Sequence, residues 1–173
     1  NLLASSAVRI AGFNKYRRLA SFITTGAVWP AIGGTYETAG GGLHVSLTPK
    51  FELTKDWTGA DDAQQTGTLA YVPTGISVEA VLGVYFHDSS AGGYSALLLQ
   101  SLAQANTPAD YGGATFVGHL YIAANGGATQ QGMATEIRVR TSTSRTFGYR
   151  ASGSTADLFA SFCTLGYLDE RTS

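Results

Sequence analysis

EIRVRTSTSRTFGYRASGSTADLFASFCTLGYLDERTS, residues 136–173, is the stretch that decides the fold class of this chain. Charged side chains alternate with Ile137, Val139 and Thr141 at its start. Such alternation is typical of a strand with one buried face. A polar turn, a second strand, a Gly/Ser turn, a third strand and a short tail are predicted to follow. Strands joined by tight turns predict an antiparallel all-β fold.

The rest of the chain extends this pattern. Residues 43–47 (LHVSL) alternate, and residues 77–87 (SVEAVLGVYFH) are predicted to form the longest strand. Further strands are predicted at 19–25, 68–73, 96–102 and 115–122, and residues 26–42 are predicted to be a loop. About eight to ten strands without a long amphipathic helix or a repeat predict a β-sandwich, jelly-roll-like in type.

Composition limits the classes of function. Charged residues are only 13% of the 173 residues, about half the usual share, whereas 44% are hydrophobic. Such a surface suits extracellular proteins and repeated contact with copies of the same chain. The net charge of −1 argues against electrostatic capture of nucleic acid. No apolar run approaches the ~18 residues that would predict membrane insertion.

The first residues differ from the remainder. Residues 1–20 hold four of the eleven basic residues and no acidic one. They are predicted to be an N-terminal arm or linker before a β-sandwich domain at 21–173. The alternative is an ordinary first strand with a solvated basic flank. Because the chain begins with Asn1, we expect a processed product or a fragment of a longer protein.

Few residues suggest catalysis. The lone Cys163 lies in an apolar run and is predicted to be a buried thiol that packs as a small hydrophobe. The spacing of His44, His87 and His119 is not that of metal ligands, so neither a metal nor another cofactor is expected. No nucleophile elbow or phosphate loop occurs. The prediction is a protein without a catalytic set.

Aromatic side chains next to polar residues are the better functional signal. A flat ring covers the apolar face of a sugar, while amides and carboxylates bind its hydroxyls. The predicted glycan-binding rings are Trp29, Trp57, Tyr94 and Tyr111, with Asp61, Asp62, Asn106 and Asp110 as polar neighbours. The alternative for the two tryptophans is that they cap the ends of the sandwich.

A second surface is predicted to be an interface between copies of the chain. The outer face of residues 77–87 carries Val81 and Tyr85, which is unusually apolar for a solvated face. Arg138 and Arg140, with Arg150 on the following strand, form a basic stripe that could pair with acids of a neighbouring subunit. The alternative is a solvated face of small energetic value, because exposed ion pairs contribute only ~0–1 kcal/mol.

The last residues carry a resemblance to a known family. Residues 164–171 (TLGYLDER) are similar to the T-L-G-W-I-D-x-R endings of bacteriophage tail fibres and tailspikes, with Tyr167 in the Trp position. The strands at 50–54 and 78–82 and a hairpin between 138 and 150 also resemble those C-terminal domains. The resemblance implies a trimeric, virion-borne adhesin that binds a bacterial surface glycan without cleaving it. Two alternatives stay open: a structural virion protein, such as a capsid decoration or jelly-roll coat component, and a polysaccharide hydrolase or deacetylase.

Overall fold

The computed structural model of the protein describes residues 32–37, 42–58, 63–88, 93–104, 119–124, 131–153 and 157–170. The predicted arm at 1–20 and the predicted strand at 19–25 lie outside these ranges. The described part holds nine strands: β1 Ile32–Glu37, β2 Leu43–Thr58, β3 Gln65–Thr68, β4 Glu79–Asp88, β5 Gly93–Gln100, β6 His119–Ala124, β7 Gln131–Arg140, β8 Thr146–Gly153 and β9 Asp157–Asp169.

The strands form two antiparallel sheets that pack face to face. One sheet has five strands in the order β1-β2-β9-β4-β7, and the other has four in the order β3-β8-β5-β6. This arrangement confirms the predicted all-β sandwich. No helix within the described ranges is long and apolar enough to cross a membrane.

The inner faces follow the predicted alternation. Ile137 and Val139 are buried, and so are the inward positions of β4. The centre of the core is aromatic: the ring centroid of Phe162 lies 5.7 Å from that of Phe147 and 5.3 Å from that of Tyr149. Because these rings come from β9 and β8, they join the two sheets.

The predicted hairpin between residues 138 and 150 is wrong, because β7 and β8 belong to different sheets. The backbone N–H of Thr141 donates to the carbonyl of Val78 at 2.9 Å, which ties the end of β7 to the start of β4. A turn then closes with the Ser142 N–H on the carbonyl of Thr146 at 2.8 Å, and Arg145 adopts a φ of 65°. This turn carries the chain across to the second sheet.

Strand β2 is longer than the alternation of residues 43–47 predicts. Its 16 residues exceed the 10 of β4, so the prediction that 77–87 form the longest strand is wrong. Register shifts lie between Ser46 and Lys50 and between Phe51 and Leu53. Such bulges interrupt the period-two pattern, which hides the strand from a reading of periodicity.

The bulge at Glu52 fixes the connection between β3 and β4. The Glu52 carboxylate accepts hydrogen bonds from the N–H groups of Ala70 and Tyr71, at 2.7 and 3.2 Å, and from the hydroxyl of Thr164. The predicted strand at 68–73 is therefore a turn that begins where β3 ends. The predicted loop at 26–42, in contrast, contains β1, which is stabilised by its pairing with β2.

The last described residues are part of the scaffold, while the predicted short tail lies mostly outside the described ranges. Strand β9 runs to Asp169 between β2 and β4, so residues 164–169 lie in the middle of the larger sheet. Tyr167 is only 1% exposed, and this burial raises the pKa of its phenol, with a further contribution from Asp169. Of the eight residues that carry the resemblance to phage tail proteins, those at 164–169 are therefore strand residues of the larger sheet.

Candidate functional site

Most of the predicted glycan-binding residues are not described by the structure. Tyr94 lies in β5, and only the backbone of this residue is described. The residues outside the described ranges are Trp29, Asp61, Asp62, Asn106, Asp110 and Tyr111. Their assignment to a sugar site stays a prediction.

Trp57 is the one predicted glycan-binding residue whose side chain is described, and its burial corrects the prediction that it binds a sugar. The side chain is 2% exposed, and its ring meets that of Tyr149 edge to face at a centroid distance of 6.0 Å. Strand β2 continues to Thr58, which directs Trp57 inward between the sheets. Trp57 is therefore a core residue, and its ring offers no face to a sugar.

The outer face of the larger sheet brings together side chains from β2, β9, β4 and β7. Each register position places one residue of each strand side by side. Three successive rows are Phe51–Cys163–Gly83–Glu136, Thr54–Ser161–Tyr85–Ala134 and Asp56–Phe159–His87–Gly132.

A shallow groove of about 450 Å³ lies among these rows, and we call it the Tyr85 groove. The small residues that line it are Gly83, Ala134, Ser161 and Cys163, and the larger ones are Val84, Tyr85, Thr135, Glu136 and Leu165. A Cβ atom built on Gly83 would lie 3.5 Å from Leu165, so the leucine side chain covers that end. The groove exists because small residues from three strands meet in two neighbouring rows.

Tyr85 is the aromatic group of this groove. The residue is 42% exposed, yet its ring also contacts neighbouring residues of the sheet. A Cβ on Gly132 would lie 2.7 Å from the Tyr85 Oη, so the phenol end rests where β7 has no side chain. The rings of His87 and Phe159 each lie 6.2 Å away, the first nearly parallel at 16°. Tyr85 thus packs against β7, His87 and Phe159 while part of the residue stays exposed to solvent.

The groove has few polar side chains, and Glu136 is the one carboxylate among its described lining residues. Glu136 is exposed, and Ser161 is half-buried. Desolvation, followed by the charge of Glu52, raises the pKa of the Cys163 thiol, which is therefore protonated at neutral pH. Cys163 is half-buried and lines the groove, which corrects the prediction of a buried thiol. Across the described ranges, no group of three His, Cys, Asp or Glu side chains could hold a metal ion.

The predicted interface residues lie on the sheet face that holds the groove, and they differ in their exposure to solvent. Val81 is 4% exposed, so little of it could touch a second copy. Arg140 forms an ion pair with Glu170 of its own chain, while Arg138 lies 3.9 Å from Glu79. Arg150 is buried in the other sheet and does not extend the stripe. The interface role of Tyr85, Arg138 and Arg140 stays a prediction.

Sequence reasoning missed the groove because its lining comes from strands far apart in the chain. The available signal was the apolar outer face of residues 77–87, which pointed to Tyr85. Ser161, Cys163 and Leu165 gave no comparable signal, since the pairing of β9 with β4 is a property of the topology.

Comparisons with known proteins find similarity among solved structures. No protein-family model matches the chain, and no curated protein matches it either. Among solved structures, the chain is similar to a carbohydrate-binding module from Cellvibrio mixtus lichenase 5A in complex with cellotriose. The match covers 82% of this chain and 90% of that chain, with 17% identity and a TM-score of 0.27. A similarity of this extent assigns no family to the chain.

Proposed function

We propose that this chain is a non-catalytic carbohydrate-binding domain and that its ligand lies in the Tyr85 groove. The observation that carries the proposal is the ring of Tyr85, a residue that is 42% exposed, at a groove of about 450 Å³. Grooves of this size accommodate small ligands such as one or two sugar units. An aromatic plane with a few polar groups is the usual means of holding a sugar.

Each part of the groove supplies one element of sugar recognition. The ring of Tyr85 covers the C–H face of a pyranose and removes it from water. The small residues Gly83 and Ala134 let the sugar approach the sheet, while Ser161 and Glu136 bind hydroxyl groups. Glycoside hydrolysis needs two facing carboxylates, whereas Glu136 is the one carboxylate among the described residues that line the groove. This composition supports binding without cleavage.

The finer proposal is attachment of a phage virion to a bacterial surface glycan by a trimer of this chain. Its support is the similarity of residues 164–171 to phage tail endings and the low charge of the surface. A single shallow site binds weakly, but several sites on one axis raise the effective affinity through local concentration. The proposed mechanism is multivalent adhesion.

Replacing Tyr85 by alanine tests the groove. An array of bacterial surface oligosaccharides would supply the strongest ligand, whose affinity is then measured by calorimetry. Burial of an aromatic ring contributes about 1.5–3 kcal/mol, so we expect Tyr85→Ala to weaken binding at least about tenfold. Tyr85→Phe keeps the ring and should bind nearly as tightly as the wild type.

Leu102→Ala provides the matched control, because Leu102 is 40% exposed but does not line the groove. It should leave the affinity unchanged. A wild-type chain that binds no oligosaccharide on the array, or a Tyr85→Ala variant of unchanged affinity, would contradict the proposal.

A second candidate function is that of a structural virion protein in which the outer face is buried between copies. It is favoured by the exposure of Phe51 and Tyr85, 61% and 42%, on the same face. Light scattering of wild type and Tyr85→Ala separates the candidates. We expect a trimer in both, which places the subunit contacts outside the groove. A monomeric wild type contradicts the trimer, and a trimer lost on Tyr85→Ala favours the structural role.

A further inference from the structure

A second cleft lies where the end of β5 and the turn after it approach the start of β4 and the end of β7. It has a volume of about 450 Å³, and we call it the Arg138 cleft. Its polar lining consists of Glu79, Gln100, Ser101, Gln104, Arg138 and Arg140. We propose that this cleft binds an acidic sugar, with Arg138 on the carboxylate or phosphate and the glutamines on the hydroxyl groups.

Arg138 is the group of the lining that can bind an anion. Two guanidinium groups face one carboxylate, that of Glu79. Arg140 is already engaged, because it pairs with Glu170 and its Nε donates to the Ser77 hydroxyl at 3.0 Å. Arg138 lies 3.9 Å from Glu79, and 55% of its side chain is exposed. This long ion pair engages Nη1, so the exposed guanidinium can still turn a pair of N–H groups toward a ligand. A guanidinium fork matches a carboxylate or phosphate in two parallel hydrogen bonds.

The amide groups make the cleft a sugar site and not a bare anion site. The Oε1 atom of Gln104 accepts from the Ser101 N–H at 3.0 Å, and the Gln104 N–H donates back to the Ser101 carbonyl at 3.0 Å. These bonds hold the Gln104 side chain on the turn, and its NH₂ group can donate to a ligand. Gln100, 5% exposed, lies at the base of β5 in the same lining. Ordered amides of this kind discriminate sugar hydroxyls.

The cleft adjoins the Tyr85 groove without depending on it. Arg138 and Glu136 lie on the same face of β7, two residues and therefore about 7 Å apart. A glycan with a neutral unit beside an acidic one could touch both. The proposal goes beyond the groove, because an acidic monosaccharide would bind the cleft even if the groove bound nothing.

The test is a titration of the isotope-labelled full chain with galacturonate, galactose 6-phosphate and galactose, followed by amide NMR signals. We expect saturable shifts at Ser101 and at the side-chain amide of Gln104 with at least one acid and none with galactose. The acid that binds more tightly shows whether the cleft prefers a carboxylate or a phosphate. Equal effects of galactose, or no shifts with either acid, would overturn the proposal.

Two variants locate the binding. Arg138→Gln should weaken it about tenfold or more, because a hydrogen-bonded charge is lost, whereas Lys55→Gln removes a charge elsewhere and should not. Unchanged affinity in Arg138→Gln, with a spectrum that shows the fold intact, would overturn the assignment. Tyr85→Ala separates this site from the groove: shifts that persist belong to the cleft, and shifts that vanish show that no separate site exists.

Discussion

Replacing Phe162 by alanine is expected to lower the free energy of unfolding by about 3–5 kcal/mol. Phe162 is fully buried, and its ring lies between the sheets against Phe147 and Tyr149 at 5.7 and 5.3 Å. The substitution removes apolar area from the core and leaves a cavity that the rigid strands around it cannot close. The rings of β8 would also lose their contact with β9.

Phe159→Ala is the matched control, because Phe159 lies on the same strand but on the outer face, where it is half-buried beside Tyr85. The same atoms are deleted, yet we expect less than half the loss. Urea denaturation at several protein concentrations measures both values, since assembly would make stability depend on concentration. An equal loss at the two positions would show that the sandwich core does not carry the stability of the domain.

The substitution Gly166→Ala is expected to have the next largest effect on stability, a loss of about 1–3 kcal/mol for one added methyl group. A Cβ at position 166 would overlap the carbonyl oxygen of Val45 and lie 3.3 Å from the Cα of Ser46. Both contacts are with the backbone of β2, which cannot move aside as a flexible side chain can. The strain falls at the register shift of β9 against β4.

Gly83→Ala tests whether this loss comes from the close approach. A Cβ on Gly83 would meet only the side chain of Leu165 at 3.5 Å, which is an ordinary contact. We expect a change within about 0.5 kcal/mol, typical of a substitution without strain. The idea fails if thermal and urea unfolding give Gly166→Ala the stability of the wild type, or if both alanine variants lose stability equally.

The alternation of side chains predicted the parts of the fold that depend on local sequence. In β4 and β7 the predicted inner residues, such as Leu82 and Val139, are buried, because each strand has one face in the core. The same alternation placed Tyr85 on the outer face, where the residue is 42% exposed, whereas its predicted role in an interface stays a prediction. Alternation is a property of one strand and can be read without its partners.

The alternation of side chains could not predict which strands pair with each other. The Gly-rich β1 becomes a strand only through its pairing with β2, and Trp57 turns inward only because β2 extends to Thr58. The turn after β7 leads to the second sheet since Thr141 is bonded to Val78. These outcomes depend on contacts between residues far apart in the chain, for which a single sequence carries no direct signal.

The sequence by itself determined that the chain is an all-β sandwich and which faces of its regular strands are buried, since both follow from the spacing of apolar side chains. Only the tertiary structure decided that residues 164–169 form the central strand β9 of the larger sheet, with Tyr167 in the core. The Tyr85 groove arises in the same way, because β9 brings Ser161 and Cys163 beside β4. Register between distant strands, and not local pattern, creates the candidate site.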